Sequence, residues 1–216
     1  ISDYVARHDL ELHTFAGPEA QIAAISDDIA YNNHDVDDGL RAELFGIEDM
    51  AHLELVGPVF AEVKAKYPNL DRSRTIHEAV RRLIEAMITD VIAETGRRIK
   101  FYAPASAADV RALDGPLVGF SDAMAVKERA LKDFLLDNMY RHYKVNRMMS
   151  KGRRIIGELF KKYLDEPSCL PTAWQEQTDA PQTPQTARVV CDFIAGMTDR
   201  FALEEHRRLL DIYAGI

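Results

Sequence analysis

The feature that most constrains this chain is a run of apolar residues spaced by three and four between Asp71 and Arg98. Ile76, Val80, Leu83, Ile84, Met87, Ile88, Val91 and Ile92 fall on one broad stripe of a helix. A half-buried strand would alternate at every second residue, and this run does not. Glu78 and Arg82, four apart, add a small ion-pair contribution on the polar side. Gly96 is read as the stop signal, because a glycine at a helix C-terminus takes the left-handed backbone at little cost.

The same periodicity recurs along the chain. From Ser121 to His142 the stripe is Val126, Ala130, Leu131, Phe134, Leu135 and Met139, with Ser121 as N-cap. From Val145 to Tyr163 it is Ile155, Ile156, Leu159 and Phe160. Shorter helices are expected at Pro18–Asn33, Val36–Leu44, Ile47–Tyr67, Ala107–Leu113, Ala187–Met197 and Asp199–Tyr213. Ser106 and Asp109 have the spacing of a capping box. Lys100–Tyr102 and Leu117–Phe120 are short apolar pieces that suit either a minor strand or a loop. Pro171–Thr186 is irregular, with Trp174 expected to dock it on the body. The expected fold is all-α, a packed multi-helix bundle in one helical unit.

Composition narrows the function classes. Of 216 residues, 47% are hydrophobic, which is ample for a core and far from the disordered regime. The net charge of −8 argues against a protein that coats a polyanion. Two cysteines, Cys169 and Cys191, are too few for a disulfide scaffold and are expected to be reduced. No uncharged apolar run reaches the ~18 residues of a membrane span, and no leader sequence is recognisable, so a cytoplasmic location is expected. The first residue is Ile1 rather than Met, which suggests a processed product or a fragment. Phosphate-binding glycine loops, a His-Glu-x-x-His pair, a Gly-x-Ser-x-Gly elbow and Cys-x-x-Cys pairs are all missing from the sequence.

The chemistry-bearing cluster lies between Asp27 and Gly39. Asp27, Tyr31 and Asp35 are spaced four and four, so a continuous helix sets a carboxylate, a phenol and a second carboxylate in one drifting row. Ile22, Ile25 and Ile29 occupy the opposite edge and suit a core-facing side. A carboxylate buried there without a partner would be costly, so a cation or a basic partner is expected beside the row. Ordinary capping and solvation would also explain such acids. A basic concentration follows at Arg141, Lys144, Arg147, Lys151, Arg153, Arg154, Lys161 and Lys162. It suits either a solvated helix face or contact with phosphates or single-stranded nucleic acid. Tyr140 and Tyr143 beside it suit base stacking or packing.

The segment Asp27-Asp-Ile-Ala-Tyr31-Asn-Asn-His-Asp35-Val-Asp-Asp-Gly39 resembles the later part of deoxyguanosine triphosphate triphosphohydrolase-like proteins of the HD superfamily. Arg81–Asp90, Tyr140–Met148 and Asp192–Ala202 resemble further segments of that family in the same order. The resemblance implies the C-terminal portion of an HD-type bundle, with residues 1–100 ending the catalytic domain and 101–216 forming a C-terminal helical region. It implies that Asp27 is the fourth ligand of a divalent metal, Mg or Mn or another transition metal. It implies that Tyr31 lines the catalytic site beside the triphosphate and that Asp35 meets the sugar 3′-hydroxyl. Lys144 and Arg147 are the phosphate-contact candidates.

The implied reaction is metal-assisted attack of water on the α-phosphorus of a deoxynucleoside triphosphate such as dGTP, releasing deoxynucleoside and triphosphate. A homo-oligomer is implied as well. The family's other ligands, an early His and a His-Asp pair, lie upstream of the Asp-x-x-x-Tyr element. Here His8-Asp9 has no preceding His, His13 comes after it, and His34-Asp35 comes after Asp27. His8 and His13 are therefore read as surface residues, and the chain by itself is expected to bind metal weakly and hydrolyse little. The alternatives are a non-catalytic helical oligomerisation or regulatory module, and a single-stranded nucleic-acid-binding module on the Arg141–Lys162 patch.

Overall fold

The computed structural model describes residues 2–211. The described residues are helical and contain no strand. The helices are α1 (Ser2–Val5), α2 (Pro18–Arg41), α3 (Val56–Lys66), α4 (Arg72–Tyr102), α5 (Ala107–Arg111), α6 (Asp122–Leu135), α7 (Tyr143–Asp165), α8 (Thr172–Gln175), α9 (Pro184–Ala195) and α10 (Asp199–Leu210). The all-α expectation is met. The expected end of the last helix at Tyr213 lies outside the described residues. The chain divides into two compact units, Ile1–His142 and Tyr143–Ile216. Residue 100, the expected end of the catalytic part, lies inside the unbroken α4.

In the first unit α4 packs against both α2 and α3, and α2 packs against α6. The α4 stripe behaves as its spacing requires on one side: Ile76, Ala79, Leu83 and Met87 are fully buried against Val36, Leu40, Val56, Phe60 and Val63. Its outer edge does not. Ile88 and Ile92 stay exposed and, with Ile22, Ile25 and Ile29 of α2, line an apolar groove of about 350 Å³. A periodic stripe gives the direction of a face but not its width of burial. Ile22 is 51% exposed, so the α2 edge read as core-facing is core only from Ile29 onward.

Helix ends differ from expectation: α3 starts at Val56 rather than Ile47, α6 ends at Leu135 rather than His142, and two further differences concern α4 and α2. Gly96 does not stop α4, which continues to Tyr102 and absorbs the Lys100–Tyr102 piece. The stop is Ala103, left-handed at φ 44° with its N–H on the Ile99 carbonyl, and Pro104 comes next. Second, the expected break near Asn33 is absent, because Asn33 turns its amide back onto the Ile29 carbonyl at 2.8 Å and leaves the ladder intact. The caps at Ser106 and Ser121 form as expected. Leu117–Phe120 is irregular, tied by Arg98, whose guanidinium donates to the Pro116 and Phe120 carbonyls.

The second unit packs α7 against α9 and α10. Tyr163 is wholly buried there and donates to Glu205 at 2.7 Å; burial, then that carboxylate, pushes its ionisation up. Trp174 docks as expected, its ring 5.2 Å from that of Phe193. Asp179 orders the irregular stretch by accepting from Thr186 and the Ala180 N–H. The three helices leave an open apolar groove of about 980 Å³, lined by Met148, Ile156, Ile194 and Leu203. No helix among the described residues is long and apolar enough to cross a membrane.

Candidate functional site

Because α2 is unbroken, Asp27, Tyr31 and Asp35 do fall in one row. Asp27 and Tyr31 are exposed and Asp35 is half-buried. Gly17 precedes the helix in extended backbone and Pro18 opens it, so the first turn has one unpaired donor fewer to satisfy. Buried Ile29, Val36 and Leu40 set the rotation of the helix and hold the row outward. The turn bearing Tyr31 is fixed by its neighbours. Asn32 donates to the buried Glu128 of α6 at 2.9 Å, and Asn33 donates to Met87 Sδ of α4 at 3.2 Å. Asn33 Oδ1 is buried without a partner. Lys132 supplies the expected cation, but beside the row: it meets Glu128 at 2.6 Å and Asp28 at 3.5 Å.

The contact that sequence reasoning missed is at Asp35. The Tyr140 hydroxyl donates to Asp35 Oδ2 at 2.5 Å. The Asp35 carboxylate pushes the Tyr140 phenol up to about 12, with burial and the nearby Tyr31 phenol adding to it. Tyr140 thus has a role beside the stacking or packing expected of its ring: its hydroxyl is the partner of the second carboxylate of the row. Their separation of 105 residues leaves no local trace in the sequence.

The other family-like segments have structural parts. Asp90 of α4 accepts from the Ser121 N–H and hydroxyl at 2.8 and 2.7 Å, anchoring the start of α6. Phe193 and Ile194 fill the core of the second unit. Lys144 and Arg147 belong to that unit, on α7, where the Arg147 guanidinium lies 5.5 Å from the Tyr143 ring centroid. The α7 basic side chains are largely exposed, and Arg154 and Lys162 pair with Glu158 and Glu166. His8, His13 and His77 are exposed, and both cysteines are free.

The donor set can be weighed directly against a divalent cation. Such ions take about six oxygen or nitrogen ligands, several of them from the protein. Among the described residues, no three His, Cys, Asp or Glu side chains come together as a ligand group. Asp27 is a suitable hard donor, but the described residues do not by themselves fit a metal centre.

Comparison with known proteins shows what the chain is similar to. Residues 118–208 match the phosphohydrolase-associated domain. A deoxyguanosinetriphosphate triphosphohydrolase-like protein of Parvibaculum lavamentivorans is 57% identical over 213 residues, 99% of this chain and 54% of that protein. Its namesake in Caulobacter vibrioides is 52% identical over 215 residues, 99% of this chain and 55% of that protein. Nearly the whole of this chain is thus similar to a stretch of deoxyguanosinetriphosphate triphosphohydrolase-like proteins. A third such protein, from Azorhizobium caulinodans, is 49% identical over 211 residues, 98% of this chain and 52% of that protein. The chain thus spans about half the length of the curated relatives it matches. At such identity the relatives share its fold.

Proposed function

We propose that this chain forms part of a cytoplasmic hydrolase that converts deoxynucleoside triphosphates, dGTP among them, to deoxynucleoside and triphosphate. The observation that carries the reading is the Asp27–Tyr31–Asp35 row, presented outward on one unbroken helix. In this reading Asp27 is one ligand of a divalent cation, Mg or Mn, whose other ligands lie outside the described residues. Tyr31 lines the site beside the triphosphate, and Asp35, an acceptor, receives the sugar 3′-hydroxyl. Lys144 and Arg147 contact phosphate, and the assembly is a homo-oligomer. Water adds to the α-phosphorus as the bond to the 5′-oxygen breaks.

The test is triphosphate release from dGTP, with Mg or Mn present, by the full-length polypeptide carrying this chain. Asp27→Ala is expected to lower it about 100-fold or more, the scale on which loss of a transition-state contact is felt. Undiminished release would sink the assignment of Asp27. A second reading, a helical module without catalysis of its own, is favoured by the incomplete donor set around Asp27. The full-length polypeptide separates the two: triphosphate release that Asp27→Ala abolishes supports the first reading, and no release, or release indifferent to Asp27, supports the module.

A further inference from the structure

Tyr140 reaches Asp35 through a backbone irregularity. The helix of α6 ends at Leu135 and gives way to a π turn at Leu136–Tyr140, closed by the Arg141 N–H on the Leu136 carbonyl at 3.0 Å. A π turn adds one residue to the helical circuit and re-aims the side chains at its end, and such turns concentrate at functional sites. Leu135 is buried, Met139 packs on the core of the first unit, and Asn138 braces the turn by donating to the Phe134 carbonyl at 2.9 Å. The turn is thereby held from both sides, and Tyr140 projects from it onto α2.

A carboxylate on a short stem rotates easily about its last torsion, which is broad and two-fold. Asp35 is half-buried, and its Oδ2 takes the short bond from Tyr140. Hydroxyl-to-carboxylate bonds of this length are charge-assisted and among the stronger ones. We propose that Tyr140 is a positioning residue: its hydroxyl pins Asp35 through Oδ2, leaving Oδ1 as the oxygen that accepts the 3′-hydroxyl of a bound deoxynucleoside triphosphate. The inference rests on the reading of Asp35 as the sugar-hydroxyl acceptor. The phenol is a donor throughout the neutral range, because Asp35 and burial raise its ionisation to about 12. Across that range Asp35 is therefore met by a donor and not by a phenolate.

The experiment compares dGTP with 2′,3′-dideoxyguanosine triphosphate, which lacks the hydroxyl in question. Both are assayed as kcat/KM on the full-length polypeptide, on Asp35→Ala and on Tyr140→Phe, with thermal melting of each. The parent is expected to prefer dGTP by about tenfold or more, as sites built to bond a hydroxyl do. Asp35→Ala is expected to erase that preference. Tyr140→Phe is expected to remove most of it while changing turnover of the dideoxy substrate by less than about twofold. An equal loss on both substrates marks a merely structural Tyr140 and overturns the inference. Full preference in Tyr140→Phe, with none in Asp35→Ala, overturns it too and leaves the Asp35 reading standing. Preference surviving in Asp35→Ala overturns that reading and the inference together.

Discussion

Asn32 Nδ2 donates to Glu128 Oε1 at 2.9 Å, a buried bond that joins α2 to α6 across 96 residues of sequence. It sits one residue from Tyr31, on the helix that carries the candidate row, and it reaches the helix whose end presents Tyr140. Lys132 meets the same oxygen at 2.6 Å, so Glu128 is buried with both a neutral and a charged donor. Glu128→Ala strands the Asn32 amide in the interior. It is expected to lower unfolding stability by about 1–3 kcal/mol, the cost of a buried polar group left unpaired. Glu128→Gln keeps an acceptor for Asn32 and is expected to lose less. Urea denaturation reads both, and identical midpoints for the parent and the alanine variant would contradict the account.

Two glycines of the long helices should respond to alanine with opposite signs. A Cβ on Gly39 would lie 2.3 Å from the Phe45 ring, which is itself buried, so the ring or the helix must move. Gly39→Ala is expected to destabilise by about 1–3 kcal/mol, the usual range for overpacking. Gly96 lies well inside α4, and a Cβ there meets nothing within 4 Å. Gly96→Ala is expected to stabilise by about 0.5–1 kcal/mol, because glycine loses the most backbone freedom in a helix. Melting temperatures of the two variants check the signs, and a shift in the same direction for both would refute the packing argument.

These glycines also mark where sequence reading stops. Ser106 and Ser121 are legible because a cap and its donor lie three residues apart. The row of Asp27, Tyr31 and Asp35 is legible for the same reason, since helical spacing alone aligns it. Gly96 is misread as a stop because local sequence cannot show that Pro104 and the left-handed Ala103 end the helix later. The partners of the row, Tyr140 on Asp35 and Glu128 on Asn32, depend on how helices pack, and a π turn at Leu136–Tyr140 has no periodic signature. Ile92 belongs to the same stripe as buried Leu83 yet is 67% exposed, because periodicity does not say which helix lies opposite.

Acid sensitivity is expected chiefly from two glutamates of α4. Glu78 is held down to about 2 by hydrogen bonds from Arg81 and Arg82, and Glu94 to about 2 by those from Arg97 and Arg98. All three bonds to Glu94 are 2.7 Å long, and Arg98 passes the restraint on to the irregular segment before α6. Asp179 and Glu204 are lowered as well, the first chiefly by the Thr183 hydroxyl and the second by Arg207. A carboxylate with a folded value below its unfolded one stabilises the fold fully above the unfolded value, near 4.5 for Glu. That contribution is lost as pH falls from about 4.5 toward 2, since the unfolded chain then binds more protons. Denaturation midpoints are therefore expected to hold steady from neutral pH down to about 5 and to fall below it. Glu94→Gln is expected to lower stability at neutral pH and to flatten the decline between about 4.5 and 2, because the variant has no proton to take up there. Urea titrations at stepped pH make the comparison, and parallel curves for parent and variant across that window would show that Glu94 is not one of the titrating groups.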